Sequence, residues 1–480
     1  MREILEAALE AARLAGAEYA DARVVDSSHE EIQIATGRVE AVERSDSFGL
    51  GVRVIANGAW GFASSRTVTT TEAVAVARQA VAIARASALV AGAPVRLAPE
   101  TPAQGTWAGP CEIDPFTVPL EDKLALMTAA DEALRAETGV SLTKVTCGSH
   151  RFRKWFASSE GAFTEQSWFE TGAGIVALAV ADADVVTRSY PNSHGGGWRQ
   201  GGWEYVTGLD LVGHAPRVAS EAVALLTAPE CEPGTVDLVI DGSQMGLQVH
   251  ESIGHPTELD RVLGEEAAFA GTSWVGLNDV GSLRYGSEHV TVSADATIPG
   301  SLGSFGWDDD GVPGQRDLIV TEGILTGLLS SRDTAPEIGR ASNGCARADG
   351  WNRIPLVRMT TVSLEPGTWD FDDLVADTGT GLYVETNNSW SIDDKRLNFQ
   401  FGCEIGWEIE NGKLGRMVRM PNYTGITPQF WASCDAVCSD AHWQVWGLAN
   451  CGKGEPMQVA HVAHGAAPAR FRGVQVGVGR

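Results

Sequence analysis

His250, Glu251 and His255 are the residues of this 480-residue chain with the greatest capacity for chemistry. Two imidazoles and a carboxylate fall within the run His250-Glu251-Ser252-Ile253-Gly254-His255, where they can hold a divalent ion and set a base beside it. The familiar zinc-binding helix spaces its histidines four apart, on one face. Here the spacing is one residue longer, and on a regular α-helix residues five apart lie about 140° apart around the axis, too far to share one ion. A π-type widening brings such residues nearly onto one face and occurs mostly at functional sites. Gly254 and Pro256 favour such a distortion: glycine tolerates unusual backbone angles, and proline disfavours the α conformation at the residue before it. The helix is therefore expected to bend or end around His255.

The elements that must carry these residues are legible nearby. The run from Thr235 to Gly242 reads as a buried strand, and Ser243 is placed to cap a helix bearing the motif from its middle to its end. Two histidines leave a catalytic zinc incomplete, since it takes three protein ligands and a water. Glu258 and Asp260 are the local candidates for the third. Cys451, set among glycines in Gly447-Leu448-Ala449-Asn450-Cys451-Gly452-Lys453-Gly454, is another, because Lys453 would favour its thiolate. A small buried hydrophobe is the commoner fate of a free cysteine, so both readings of Cys451 stand at this point. A rival site at Cys434, Cys438 and His442, which recur every four residues and could line a helix, lacks a fourth ligand and a paired-cysteine motif. Asp308-Asp309-Asp310-Gly311 resembles a calcium loop but has Val312 and Ile319 where oxygen ligands should stand, and is expected to be a shaped acidic loop.

The length predicts about three domains, or two large ones, with ample core. A net charge of -26 argues against nucleic acid as a direct ligand, which needs a strongly basic surface. Arg151, Arg153 and Lys154, beside Phe152 and Trp155, read as the solvated face of a strand. No apolar run approaches the ~20 residues of a membrane span and no signal-peptide core appears, so a cytoplasmic location without a membrane partner is expected. Eight scattered cysteines suit reduced thiols in that compartment.

Along the chain, Arg2 to Ala15 forms an amphipathic pattern ended by Gly16, followed by strand-like segments near 22–25, 31–35, 39–43, 51–55 and 59–63, with Asn57-Gly58 as a hairpin turn. A helix from about Thr71 to Ala88 closes a first α+β unit, residues 1–90. Residues 91–115, with five prolines, read as a linker. A central α+β segment, 116–230, opens with a helix at about Leu120–Arg135 and holds the strand-like run 174–180. Its glycine-rich stretch from His194 to Trp198 is expected to be a mobile surface loop near the site, since no helix pattern follows it to make a phosphate cradle. Residues 235–480 contain the motif helix and many short β runs, such as 290–292, 318–320, 397–401 and 403–409. The fold class is α+β, with a mainly antiparallel catalytic half.

Across nearly its whole length the chain resembles the TldD/PmbA metallopeptidases, on the catalytic TldD-like side. The family's His-Glu-three-His element matches His250, Glu251 and His255, its trailing acidic pair Glu258 and Asp260, and its Cys-Gly-Lys element Cys451, Gly452 and Lys453. Gly303-Ser304-Phe305 with the run from Asp308 to Arg316, Arg358-Met359-Thr360-Thr361 with Pro366-Gly367, and the N-terminal runs 37–40, 49–54 and 58–63 are similar too. The segments Gly454-Glu455-Pro456 and His461-Val462-Ala463-His464 depart from the family's pattern, which bears on substrate preference.

The resemblance implies that His250, His255 and Cys451 bind one divalent ion, zinc or alternatively iron(II), and that Glu251 is the general base. It implies hydrolysis of peptide bonds in small unfolded or modified peptides by a metal-activated water. Such substrates would be taken as extended chains by strand addition. It also implies a dimer, with itself or with a PmbA-like metal-free sister subunit. The alternatives are a dedicated biosynthetic hydrolase maturing a peptide precursor or carrier, and a non-catalytic regulatory or binding protein with a structural metal.

Overall fold

The structure is a computed structural model that describes residues 1–90, 92–181, 184–269 and 271–478. Its N-terminal half is built on one eight-stranded sheet. The strands Tyr19–Ala35 and Arg38–Ala56 pair antiparallel from Tyr19 opposite Ile55 to Ala35 opposite Arg38. The short separate strands expected here are thus one long ribbon. Their polar middles, Asp26-Ser27-Ser28 and Arg44-Ser45-Asp46-Ser47, contain no glycine or proline to end a strand, and Val140–Ser158 continues the ladder on the far side. Asn57 and Gly58, both with positive φ (54° and 73°), make the expected tight turn into Ala59–Ser65.

Phe163–Ala181 pairs with Val140–Ser158 and also with Asp184–Tyr190 and Gly197–Gln200. Within the stretch read as a linker, Gln104–Ala108 adds to this sheet in parallel, alongside Phe163–Ser167. The helices Arg2–Leu14 and Thr70–Ser87 cover one part of the sheet around Leu5, Val52 and Val81. Leu120–Arg135 and Leu211–Leu225 cover another around Met127, Ile175 and Val218.

The C-terminal half carries a seven-stranded and a six-stranded sheet. The strand Gly234–Ile240, apolar at Val236, Leu238, Val239 and Ile240, lies inside the first, parallel to Thr380–Ile392 and antiparallel to Ala469–Val476. It feeds the helix Gly242–Val249, which touches strands of both sheets and is buried at every residue. Asp241, two residues before the expected Ser243, caps this helix by accepting the Ser243 N–H at 2.7 Å. Its buried amides Gln244 and Gln248 bracket the Tyr423 hydroxyl, each 2.9 Å away. The C-terminal half is mainly antiparallel, as the β-rich pattern implied.

Asp308, Asp309 and Asp310 form a buried clasp between the halves. Asp308 accepts the Asp310, Val312 and Ala346 N–H groups, Asp309 pairs with Lys154 and Arg23, and Asp310 pairs with Arg53. Lys154 is therefore not on a solvated face, whereas Arg151 and Arg153 are largely exposed. The carboxylates are filled by protein donors, which explains why the calcium pattern fails here.

Candidate metal centre

The site helix changes register at the motif. Regular α-helix runs to Val249, residues His250–Gly254 form one π turn, and His255–Thr257 tighten to 3₁₀. The His255 N–H reaches back to the His250 carbonyl, the five-residue bond that a π turn requires. This is the widening the five-residue spacing demanded. Proline acts differently than expected: His255 keeps right-handed helical angles (φ -60°, ψ -44°), and the helix turns extended only at Glu258. Pro256 lacks an N–H, so it sits in the strained stretch without wasting a donor. Gly254 is required by contact, because a Cβ there would lie 2.2 Å from the Met359 sulfur. The Thr257 hydroxyl donates to the Ile253 and Gly254 carbonyls at 2.8 and 3.0 Å, and Ser252 is held by Gln248 and Trp431, so the distorted turn is locked from behind.

The turn brings His250 and His255 together, and the strand Gln444–Lys453 brings Cys451 to both. Ligand atoms of these three buried residues lie within 4.8 Å of one another, and they form the only such group of histidine, cysteine and acidic side chains among the described residues. The Cys451 sulfur is 3.8 Å from His255 Nε2. Tetrahedral zinc with ordinary bond lengths would set these atoms about 3.5 Å apart, so the donor set fits that ion.

The hydrogen bonds fix which nitrogen each imidazole offers. His464 Nδ1 lies 2.9 Å from the Val362 carbonyl and must donate to it, so its Nε2 accepts from His250 Nδ1, 2.8 Å away. His250 is left with a bare Nε2. His255 Nδ1 donates to Glu258 at 2.9 Å, which leaves its Nε2 bare and turned to Cys451. Carboxylate and imidazole partners of this kind orient metal-binding histidines. Burial pushes His250 down to about 4, against the upward pull of Glu251 and Glu258. His255 is held well below the ordinary imidazole range, again by burial first. Both are therefore neutral and free to bind near pH 7. Burial raises the Cys451 thiol, but the Arg358 charge and His255 outweigh it and the net shift is downward, towards the thiolate that a metal needs.

Several expectations change here. Glu258 and Asp260 do not reach the ligand group: Glu258 orients His255, and Asp260 takes Lys453 Nζ at 2.7 Å. Lys453 is not the cation that favours the thiolate, being spent on Asp260, Glu258 and the Val357 carbonyl; Arg358, which also donates to the Cys451 carbonyl, has that role. Cys434 begins a strand, Cys434–Val437, and not a helix, while His442 bonds Asp370, so the rival trio does not converge. The loop around His194 does approach the site, where His194, His250 and His464 line one small cavity. His464, which sequence reasoning had placed in a divergent segment, is the support of His250. Arg396 was missed altogether, although its nearby run Asp393-Asp394-Lys395-Arg396 is a dense charge cluster between two strands.

Glu251 sits inside the π turn and outside the ligand group. Its Oε2 accepts from Arg396 Nη1 at 2.5 Å. Two buried histidines, a cysteine drawn towards its thiolate and a carboxylate outside the group make a candidate metal centre on an α+β fold. The comparisons agree: the PmbA/TldA metallopeptidase C-terminal domain matches residues 233–477, domain 1 matches 20–84 and the central domain 113–228. A metalloprotease of Methanocaldococcus jannaschii is 28% identical over 91% of this chain and 92% of its own length. One from Synechocystis is 30% identical over 96% and 95%. The chain belongs to the PmbA/TldD family of metallopeptidases. Among solved structures, a Thermotoga maritima protein described as a modulator of DNA gyrase superposes with a TM-score of 0.77 over 98% of both chains at 16% identity, and TldE of Thermococcus kodakarensis with 0.71 over 98% and 99% at 15%. These two likenesses concern the fold alone.

Proposed function

We propose that this chain hydrolyses peptide bonds in small unfolded or modified peptides, with zinc held by His250, His255 and Cys451 and with Glu251 as general base. The observation that carries this reading is Glu251 itself, a buried carboxylate in the same π turn as His250 that does not join the ligand group. A structural site, closed by four protein ligands, has no use for it. The ion, when bound, lowers the pKa of a water towards ~7 and polarises the scissile carbonyl. Arg396 fixes one oxygen of Glu251, and the other is left to take the water's proton and hand it to the leaving amine. The strand that presents Cys451, Gln444–Lys453, is the outermost of its sheet, which supports a substrate received as an extended chain.

The same reading assigns a cytoplasmic enzyme that works as a dimer, with itself or with a metal-free sister. Among the described residues no helix is long and apolar enough to cross a membrane. The test is Glu251→Gln, assayed for metal content and peptide turnover together. Retained metal with turnover reduced at least ~10²-fold is expected, whereas substantial remaining activity would remove Glu251 from the role.

A further inference from the structure

Arg396 is bonded directly to the carboxylate of the site. Its Nη1 donates to Glu251 at 2.5 Å, and its charge is felt by both His250 and His255. Nε is buried without a hydrogen-bond partner, Nη1 is the one guanidinium nitrogen bonded among the described residues, and the side chain is 17% exposed, so the head is anchored at one corner with donors unfilled. A guanidinium carries five donors and gains most when an anion or carbonyl fills them.

The backbone that delivers it is itself unusual. Arg396 has φ 62°, the left-handed region that glycine or asparagine would ordinarily take. Its surroundings enforce that angle. Asp393 accepts the Leu397 and Asn398 N–H groups at 2.8 and 3.1 Å, the Arg396 N–H returns to the Asp393 carbonyl, and Thr427 donates to the Arg396 carbonyl at 2.8 Å. From outside the turn, Thr272 and Trp274 N–H groups bind the Asp394 and Lys395 carbonyls, both at 2.9 Å. A residue with a side chain is disfavoured in this conformation, and such strain collects at functional sites.

We infer that Arg396 is a catalytic residue of the proposed hydrolysis, donating to the peptide carbonyl oxygen as negative charge develops on it while keeping Glu251 aimed at the water. This rests on the peptidase reading of the site. The bookkeeping is that of simple hydrolysis: hydroxide adds to the carbonyl carbon, the C–N bond breaks, the proton taken by Glu251 ends on the amine, and Arg396 gives up no proton. A fixed donor of this type contributes because its interaction strengthens from ground state to transition state.

The test uses Arg396→Ala, Arg396→Lys and Glu251→Gln in the full-length, zinc-loaded protein, with an unfolded peptide as substrate and a phosphinic peptide as mimic of the charged tetrahedral state. Arg396→Ala should keep its zinc and lose about 10²- to 10³-fold in kcat with a much smaller change in KM. Phosphinic-peptide affinity should fall in parallel. Millimolar guanidinium should restore part of the activity of Arg396→Ala and none of that of Glu251→Gln. Arg396→Lys, which keeps charge but not the fork, should fall between. Loss of zinc in Arg396→Ala, or a KM effect with kcat preserved, would assign Arg396 to site assembly or ground-state binding and overturn the inference. A zinc-loaded wild type that cleaves no peptide would instead remove the peptidase reading beneath it.

Discussion

His464 Nε2 lies 2.8 Å from His250 Nδ1, and the direction of that hydrogen bond is set a step further out, where His464 Nδ1 meets the Val362 carbonyl. A carbonyl can only accept, so the proton positions of both rings follow from one backbone oxygen. His464→Ala should therefore weaken metal binding about 10- to 100-fold, by freeing the His250 ring. Competition titration against a metal indicator measures this, and an unchanged affinity would refute the relay.

Cys451→Ala should release most of the metal, because it removes one of three ligands and the only anionic one. Cys434→Ala and Cys438→Ala should keep it, since neither joins the ligand group. Elemental analysis of the three purified variants decides the matter; full occupancy in Cys451→Ala would disprove the ligand set.

His150 offers a pH test away from the metal. It stacks on Phe152 and lies 3.2 Å from His29, and burial, aided by His461, depresses it to about 3. A folded-state pKa below the unfolded value of about 6.5 means that the unfolded chain binds the extra proton. The neutral ring's contribution is thus fully present above pH ~6.5 and is lost as pH falls towards about 3. Relative to His150→Gln, the wild type should lose stability by about 1.4 kcal/mol per pH unit across that window. Urea melts of both proteins at pH 7 and pH 5 supply the difference, and parallel curves would contradict the assignment.

The proposed assembly makes a further demand. A site reached by extended chains and shielded by two subunits should cut an unfolded small protein and spare its disulfide-locked folded form. Light scattering paired with that digestion checks both halves of the claim. A monomer that cleaves both forms at similar rates would exclude the enclosure.

The local chemistry was readable in the sequence because it is local. The five-residue spacing of His250 and His255, with Gly254 between them, signals a π turn because only that widening sets both rings on one face, and Asn57-Gly58 signals a tight turn by its own backbone preference. The helix over 120–135 follows equally from its own apolar period. Strand length did not, since the ribbon 19–56 is extended through its polar middle by a partner strand more than a hundred residues away. Nor did the choice among Glu258, Asp260 and Cys451, since carboxylate and thiolate can each ligate zinc; it was made by which side chains already had partners. Lys453 claims Asp260, His255 claims Glu258, and Arg358 is left to Cys451. Arg396, in the turn between Thr380–Ile392 and Asn398–Glu410, and His464, on the strand Gln458–Ala466, reach the site through pairings of two sheets that no local pattern encodes. What the sequence determined by itself was the donor types and the turn that gathers two of them, because short-range sterics and hydrogen bonding decide both. What only the tertiary structure decided was which long-range neighbours orient, charge and complete them, because those contacts depend on sheet order and on competition among buried polar groups for a limited set of partners.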